Sequence, residues 1–134
     1  MLTKTSKQVI NALVELASLQ DDEWLGVGAI AERIKAPQNY LGKVLQGLAY
    51  NGIVVSQKGL GGGFRLGKDA SKISLYDVVE PIENVKVWSE CAMGLKKCSD
   101  GNPCAVHYQW KSVKESYLKF LTQTTIEKLV KEKK

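Results

Sequence analysis

A short glycine-rich segment between two strand-like runs limits the folds open to this chain more than any other feature. The segment runs from Gln57 to Gly63, with strands expected at 53–56 and 63–66,. It lacks the Gly-Lys-Ser/Thr ending of a nucleotide-binding loop and opens a strand rather than a helix, which excludes a phosphate loop of that type. The sequence therefore predicts a β-hairpin with a flexible tip.

Three helical patterns precede the hairpin. Apolar residues recur at helical spacing from Thr3 to about Gln20, again from Val27 to Ile34, and then after Pro37,. Proline is favoured at the first position of a helix, so the third helix is expected to start near Pro37. Two short helices joined by a tight turn are typical of a helix-turn-helix, and a basic hairpin after it makes a winged helix.

The third helix and the hairpin together offer the chemistry needed to bind DNA. Glutamine and asparagine can make paired hydrogen bonds to adenine, and lysine can reach guanine or phosphate. A basic hairpin can contact phosphates or the minor groove. For the helix alone, an ordinary solvated face is the alternative. The predicted DNA-contacting residues are Gln38, Asn39, Tyr40, Lys43 and Gln46 on the helix, and Lys58, Gly61 and Arg65 on the hairpin.

The distribution of charge agrees with a polyanionic partner. The formal net charge is +5 and the pI is near 9.1. Residues 32–72 hold seven basic side chains against only two acidic ones. The excess of positive charge is therefore concentrated in the predicted winged helix, where DNA phosphates would lie.

Length and composition indicate one globular domain outside the membrane. A chain of 134 residues can bury a sizeable core without disulfide support,. It contains no run of eighteen apolar residues, and the segment 1–8 lacks the apolar region of a secretory signal,. We therefore expect a cytoplasmic protein.

Two further helical segments and a connector are expected after the hairpin. A helix should run from Ser74 to Glu80, with a capping box formed by Ser74 and Asp77, and should be stopped by Pro81,. An irregular connector follows over 82–90, in which Trp88 is assigned to packing. A final short helix is expected at 125–133.

A long helix should lie between the connector and that last helix. Asn102 and Pro103 have the residue types of a helix cap and first turn, so the helix should start at Cys104 and run to about Thr122,. Its apolar residues alternate in steps of four and three, which is the seam of a helix pair. The seam could meet a second subunit or the first helix of the same chain, and palindromic DNA favours the dimer. The predicted dimer residues are Val106, Trp110, Val113, Tyr117 and Phe120.

All three cysteines and the only histidine lie between residues 91 and 107, a segment here called the ligand stretch. An odd number of cysteines in a reducing compartment favours metal ligation or redox sensing over permanent disulfides. Three alternatives remain: a zinc site, although close Cys-x2-Cys pairs are absent; a metal-free thiol switch; and a cysteine enzyme, which lacks an evident orienting acid. The predicted ligands are Cys91, Cys98, Cys104 and His107.

Taken together, these segments resemble the IscR/NsrR family of bacterial iron-sulfur transcription regulators over nearly the full length. The segments that carry the resemblance are Ala31–Arg33 leading to Asn39–Leu41, the wing Gly59–Ala70, the helix Ser74–Glu80, and the three cysteines followed by His107 and Trp110. The resemblance implies a winged-helix homodimer in which the three cysteines of each subunit hold one iron-sulfur cluster.

Members of that family differ in the fourth ligand, which is a histidine at the position of His107 or an acid from the first helix. The first helix here offers Lys7, Gln8 and Asn11, none of which is a good iron ligand, so His107 is favoured. Imidazole in place of a thiolate should raise a cluster's potential, as in Rieske centres, and these features suit a redox-responsive 2Fe-2S cluster, favoured over a 4Fe-4S cluster. The chain departs from the pattern of this family at two places. Six residues separate Cys91 from Cys98, one more than in the IscR-like pattern, and Gly42 stands where some relatives carry an acid.

The expected fold is mainly α with a small β-hairpin wing: a winged helix-turn-helix plus a long dimerisation helix. Residues 1–80 should form the DNA-binding domain, 81–104 the connector and cluster loop, and 105–134 the dimerisation helix and C-terminal helix. The expected function is a transcription regulator of a palindromic operator, controlled by a cluster that senses redox state, iron or nitric oxide. The alternative is a zinc-stabilised or thiol-switch regulator.

Overall fold

The computed structural model describes residues 2–83, 101 and 103–132. Cys91, Cys98 and Trp88 lie outside them, as does the predicted cap Asn102. Within the described ranges, no helix has both the length and the apolar content needed to cross a bilayer.

Three helices and a hairpin follow one another in the predicted order. Helix α1 spans Lys4–Ala17, α2 spans Val27–Ile34 and α3 spans Gln38–Tyr50. Strands β1 (Val54–Gln57) and β2 (Gly63–Leu66) pair antiparallel. The predicted start of the third helix near Pro37 is confirmed, since Pro37 immediately precedes α3 in extended backbone.

The hairpin is tied to the start of α2 by a short bridge. The Leu25 N–H donates to the Phe64 carbonyl at 3.0 Å, and the Phe64 N–H donates to the Leu25 carbonyl at 2.8 Å. Both side chains are buried in the core. The segment before α2 therefore extends the hairpin at one point and fixes its position relative to the helix-turn-helix.

The next helix is longer than expected. A 3-10 turn, η1 (Ala70–Lys72), precedes α4, which spans Leu75–Glu83 and contains Pro81. The predicted capping box is confirmed: the Ser74 N–H donates to the Asp77 carboxylate at 3.0 Å, and the Asp77 N–H donates to the Ser74 hydroxyl at 3.1 Å. The prediction that Pro81 stops this helix was wrong. Proline fixes φ at a value a helix accepts, so the chain continues helical through Glu83 at the loss of one hydrogen bond.

The long helix starts later than expected. Helix α5 spans His107–Gln123 and α6 spans Ile126–Glu132. The prediction that α5 begins at Cys104 was wrong. The His107 N–H donates to the Cys104 carbonyl at 3.1 Å in a turn, and the first helical bond joins the Trp110 N–H to the Val106 carbonyl at 2.9 Å. Cys104 therefore lies one turn before α5.

One continuous core extends from α1, α2, α3 and the hairpin to α4, α5 and α6. Helix α1 packs against α4 and α6, and α5 packs against α4. Backbone hydrogen bonds from Leu75 to Thr124 and from Ile126 to Ile73 hold the start of α6 beside the start of α4. The fully buried side chains of this region include Leu13, Val78, Val79, Leu121 and Ile126.

Candidate functional site

The polar residues predicted to read DNA lie together on α3. Gln38, Asn39, Tyr40, Lys43 and Gln46 are all exposed, whereas Leu41, Leu45 and Leu48 are buried. Asn39, Lys43 and Gln46 lie opposite the leucines, and Gln38 lies in the first turn of the helix,. We call the five exposed residues the reading face. Because the apolar side of α3 is in the core, the polar side is available to a partner, as DNA reading requires.

The reading face borders the hairpin. An open cavity of about 350 Å³ is lined by residues of the reading face, by Val27 and Gly42, and by Phe64 of β2. The predicted hairpin residues Lys58 and Gly61 are exposed, and Arg65, next to Phe64, is half-buried. The structure thus places four residues of the reading face beside Phe64 of the hairpin, whereas Arg65 lines a different cavity together with Asp22 and Lys68.

The tip of the wing is a glycine turn. The Gly62 N–H donates to the Gly59 carbonyl at 3.1 Å, while Gly59 and Gly61 have φ values of 95° and 77°. Such values favour glycine because a side chain crowds the backbone there. A Cβ added to Gly62 would overlap the carbonyl oxygen of Gln57. The glycines are therefore required by the shape of the turn, which presents Leu60 fully to solvent.

Arg65 has contacts that the sequence did not indicate. Its guanidinium carbon lies 4.5 Å from the centre of the Trp24 ring, a cation–π arrangement, and its nitrogen lies 3.9 Å from the Asp22 carboxylate,. Trp24 precedes α2 in an acidic turn, where a tryptophan could as well have been a core residue. Only its position beside the wing identifies it as a support for Arg65.

Two of the four predicted ligands, Cys104 and His107, lie among the described residues. Both are partly buried, and the turn between them places His107 as the first residue of α5. The His107 ring meets the ring of Tyr108 edge to face at 5.0 Å. Thiolate sulfur and imidazole nitrogen are suitable donors for iron or zinc, so these two residues fit the predicted donor set chemically. Cys91 and Cys98 lie outside the described residues.

The predicted seam of α5 is buried along one edge and exposed along the other, and the rings of Tyr117 and Phe120 stack with their centres 6.4 Å apart. Tyr117 is 6% exposed, whereas Val113 and Phe120 are 55% and 47% exposed. Tyr117 and Leu121 face the chain's own core, and burial, with the Glu83 carboxylate nearby, raises the pKa of Tyr117. Tyr117 thus contributes to its own subunit here. Val106, Val113 and Phe120 recur every seven residues, and we call them the outer stripe,.

A carboxylate joins α4 to the start of α1. Glu83 accepts hydrogen bonds from the Thr3 N–H at 3.1 Å and the Thr3 hydroxyl at 3.2 Å, and its same oxygen accepts from the Ser6 hydroxyl. Ser6 is fully buried. The end of α4, which leads towards the ligand stretch, is therefore bonded to the first turn of α1.

Comparison with known proteins agrees with this architecture. The chain matches the Rrf2 family, described as "Iron-dependent Transcriptional regulator", over residues 2–132. It is 36% identical over 129 residues to an Aquifex aeolicus (strain VF5) protein named as an HTH-type transcriptional regulator, covering 93% of this chain and 90% of that protein. It is 32% identical to the HTH-type transcriptional regulator IscR of Yersinia pseudotuberculosis, covering 96% and 78%.

Solved structures share the fold. CymR, the global cysteine regulator of B. subtilis, has a TM-score of 0.79 at 20% identity and covers 98% of this chain and 97% of its own. T. potens IscR has a TM-score of 0.79 at 22% identity and covers 100% and 88%. The predicted winged helix and the predicted likeness to IscR are both confirmed, and the relatives are regulators rather than enzymes. This chain therefore belongs to the Rrf2 family of transcriptional regulators.

Proposed function

We propose that this regulator binds a palindromic operator as a homodimer, and that an iron-sulfur cluster held by Cys91, Cys98, Cys104 and His107 controls its affinity. The observation that most supports DNA reading is that the exposed polar side of α3 and Phe64 of the hairpin line one cavity. A duplex on that side would meet amides in the major groove and basic residues at the phosphates.

The chemistry of the donors supports a cluster at the start of α5. We favour a 2Fe-2S centre over a 4Fe-4S centre because histidine ligands occur on the 2Fe-2S centres of Rieske proteins, where they raise the potential. When bound, the cluster supplies a redox-active, anionic centre. Cys104 and His107 anchor it to the turn before α5 and to the first residue of that helix, whose N-terminal dipole favours negative charge,.

The described contacts connect this anchor to the DNA-reading helix. Helix α5 packs on α4, and α4 packs on α3 and α1. Glu83 adds the hydrogen bonds to Thr3 and Ser6. A change at the start of α5 would alter how two subunits meet along the outer stripe, and with it the separation of the two reading faces. The cluster acts only if its binding free energy differs between the two arrangements.

Spectroscopy and DNA binding on anaerobically purified protein test this function. We expect visible absorbance, iron and acid-labile sulfide at one cluster per chain, and salt-sensitive binding to the protein's own promoter region that differs between cluster-loaded and cluster-free protein. Colourless protein with stoichiometric zinc would contradict the cluster. Absence of selective binding in both forms would contradict the DNA function.

A thiol switch without metal is the second candidate. It is favoured by the three cysteines of one short stretch, and the fold neighbours include an oxidized form of Staphylococcus aureus CymR, at a TM-score of 0.76 and 20% identity. His107→Ala separates the two candidates. A cluster regulator loses absorbance and response with this change, whereas a thiol switch keeps its response to oxidant. Gln109→Ala, an exposed position on α5, is the matched control.

A further inference from the structure

The open cavity on the reading side of α3 has an apolar base and a polar rim. The whole cavity has a volume of about 350 Å³. The less exposed part of its lining is formed by Val27, Gly42 and Phe64, and we call this part the pit. Phe64 is only 6% exposed, so its ring is held by the core. The rim is formed by the side chains of Gln38, Asn39, Lys43 and Gln46.

The pit is open beside Val27 because residue 42 has no side chain. A Cβ built on Gly42 would lie 3.6 Å from the Val27 Cγ2 atom, which is ordinary van der Waals contact. Alanine would therefore fit, and it favours a helix more than glycine does. Packing within the chain does not require glycine at this position. The open space is thus a property of the surface and is not imposed by the fold.

The chemistry of the major groove identifies what the pit can hold. Among the groups that the four bases present there, the 5-methyl of thymine is the apolar one, whereas the others are hydrogen-bond donors and acceptors. The amides of Gln38, Asn39 and Gln46 on the rim are the side chains that pair with adenine N6 and N7. An adenine and its paired thymine would thus meet the rim and the pit together.

We propose that Val27, Gly42 and Phe64 form a binding site for the 5-methyl group of a thymine in each operator half-site. This inference rests on the proposed function, since it assigns one base contact of the DNA-reading side. It makes Gly42 a specificity-determining residue through the space it leaves, in addition to the hydrogen bonds made around it.

Replacing thymine by deoxyuridine isolates the methyl group, because the two bases pair identically. Binding sites are first selected from a random duplex pool with the wild-type protein. Each thymine of the selected site is then replaced by deoxyuridine at symmetric positions, and affinities are measured by fluorescence anisotropy at fixed salt. We expect one position at which the replacement weakens binding about fourfold per half-site, the value for burying one methyl group.

Two glycines of α3 provide a variant and its control. Gly42→Ala places a methyl group in the pit beside Val27, whereas Gly47→Ala adds the same methyl group to the same helix at an exposed position with nothing within 4 Å. In Gly42→Ala the ratio of thymine to deoxyuridine affinities at the sensitive position should fall to about one. In Gly47→Ala it should stay at the wild-type value. Val27→Ala removes one wall of the pit and should lower the ratio without adding bulk.

The outcomes separate this inference from the proposed function. Selective DNA binding with no position sensitive to deoxyuridine would overturn the pit and leave DNA reading intact. A ratio of thymine to deoxyuridine affinities that is unchanged in both Gly42→Ala and Val27→Ala would also overturn the proposed methyl-binding site. Failure of the wild-type protein to select any site contradicts the proposed function itself. Thermal unfolding of each variant shows whether it is folded, and Val27→Ala decides the case if Gly42→Ala binds no DNA.

Discussion

Arg65 shows how one wing side chain is oriented by neighbours distant in sequence. The ring of Trp24 holds the guanidinium from one side, and the Asp22 carboxylate offers it an ion pair at 3.9 Å. The Asp22 side chain is fully exposed, so this ion pair is screened by water and weak,. A DNA phosphate near Arg65 would compete with Asp22 for the same charge, whereas Trp24 would keep the side chain in place.

Removing the competing carboxylate should strengthen DNA binding. Asp22 has a φ of 68°, a conformation that asparagine also tolerates, so Asp22→Asn should preserve the turn,. We expect about a twofold gain in DNA affinity, since an exposed pair is worth little. Fluorescence anisotropy at low salt measures this gain, and Asp21→Asn, the adjacent exposed carboxylate, controls for net charge. Equal gains in the two variants would show that only net charge matters.

Tyr117 should give the protein an alkaline dependence of stability. Burial raises its pKa in the folded chain, with a contribution from Glu83, above its ordinary value near 10,. The neutral phenol is favoured in the folded state, so its contribution is fully present below pH 10 and is lost as the pH rises through the raised value. The melting temperature of Tyr117→Phe should therefore fall less than that of wild type between pH 9.5 and about 11. Parallel curves for the two proteins would contradict this.

The elements of the winged helix could be predicted from sequence because each has a local signal. Helical periodicity, Pro37, the glycine turn and the reciprocal Ser74–Asp77 cap all act within a few residues. The two errors concern ends that local signals do not decide. Pro81 continues α4, and α5 starts at His107 rather than at Cys104.

The candidate site was only partly predictable for a similar reason. Polar residue types identified the reading face, but the pit depends on Val27 and Phe64, which reach α3 from other elements. Nothing in the local sequence distinguishes these two from ordinary core residues. Gly42 was noted only as a departure from relatives, and its role as open space becomes visible when its neighbours are placed around it.

The glycine turn of the wing should be intolerant of a single methyl group. In Gly62→Ala the new Cβ would overlap the Gln57 carbonyl oxygen, which belongs to the backbone of β1 and cannot move aside easily. We expect a loss of stability above about 1 kcal/mol and weaker DNA binding at low salt. Urea unfolding and gel shift measure the two effects. Gly26→Ala, whose added Cβ would have nothing within 4 Å, is the control and should leave the wing intact.

At the scale of the whole molecule, the outer stripe of α5 is the candidate contact between subunits. Periodicity alone showed one apolar side of α5 but not which partner would cover each part of it. Tyr117 and Leu121 pack within the chain, whereas Val113 and Phe120 remain exposed. Of the predicted dimer residues, Tyr117 packs within the chain and Trp110 is partly buried. We therefore expect the contact between subunits along the outer stripe.

A charge placed on the outer stripe should separate the subunits. Phe120→Glu puts a carboxylate where an apolar contact between two copies is expected. Burying an unpaired charge is costly, so this contact should be lost. Light scattering after size exclusion should show a monomer, and affinity for a full operator should fall. Ser112→Glu places the same charge on an exposed part of α5, about a quarter turn around the helix axis from Phe120, and this variant should stay dimeric,. If both Phe120→Glu and Ser112→Glu remain dimers, the outer stripe is not the interface between subunits.

The bridge between Leu25 and Phe64 has a consequence for regulation. It joins the wing to the helix-turn-helix by two hydrogen bonds between buried residues, so we expect these two parts of one subunit to bind a half-site together as a single unit. A signal that moves the subunits relative to each other would then leave the contacts within each half-site unchanged. It would alter only the effective concentration at which the second subunit meets its half-site once the first subunit is bound. A duplex with a single half-site should therefore bind equally well with and without the signal, and all of the regulation should appear as avidity on the two-site operator.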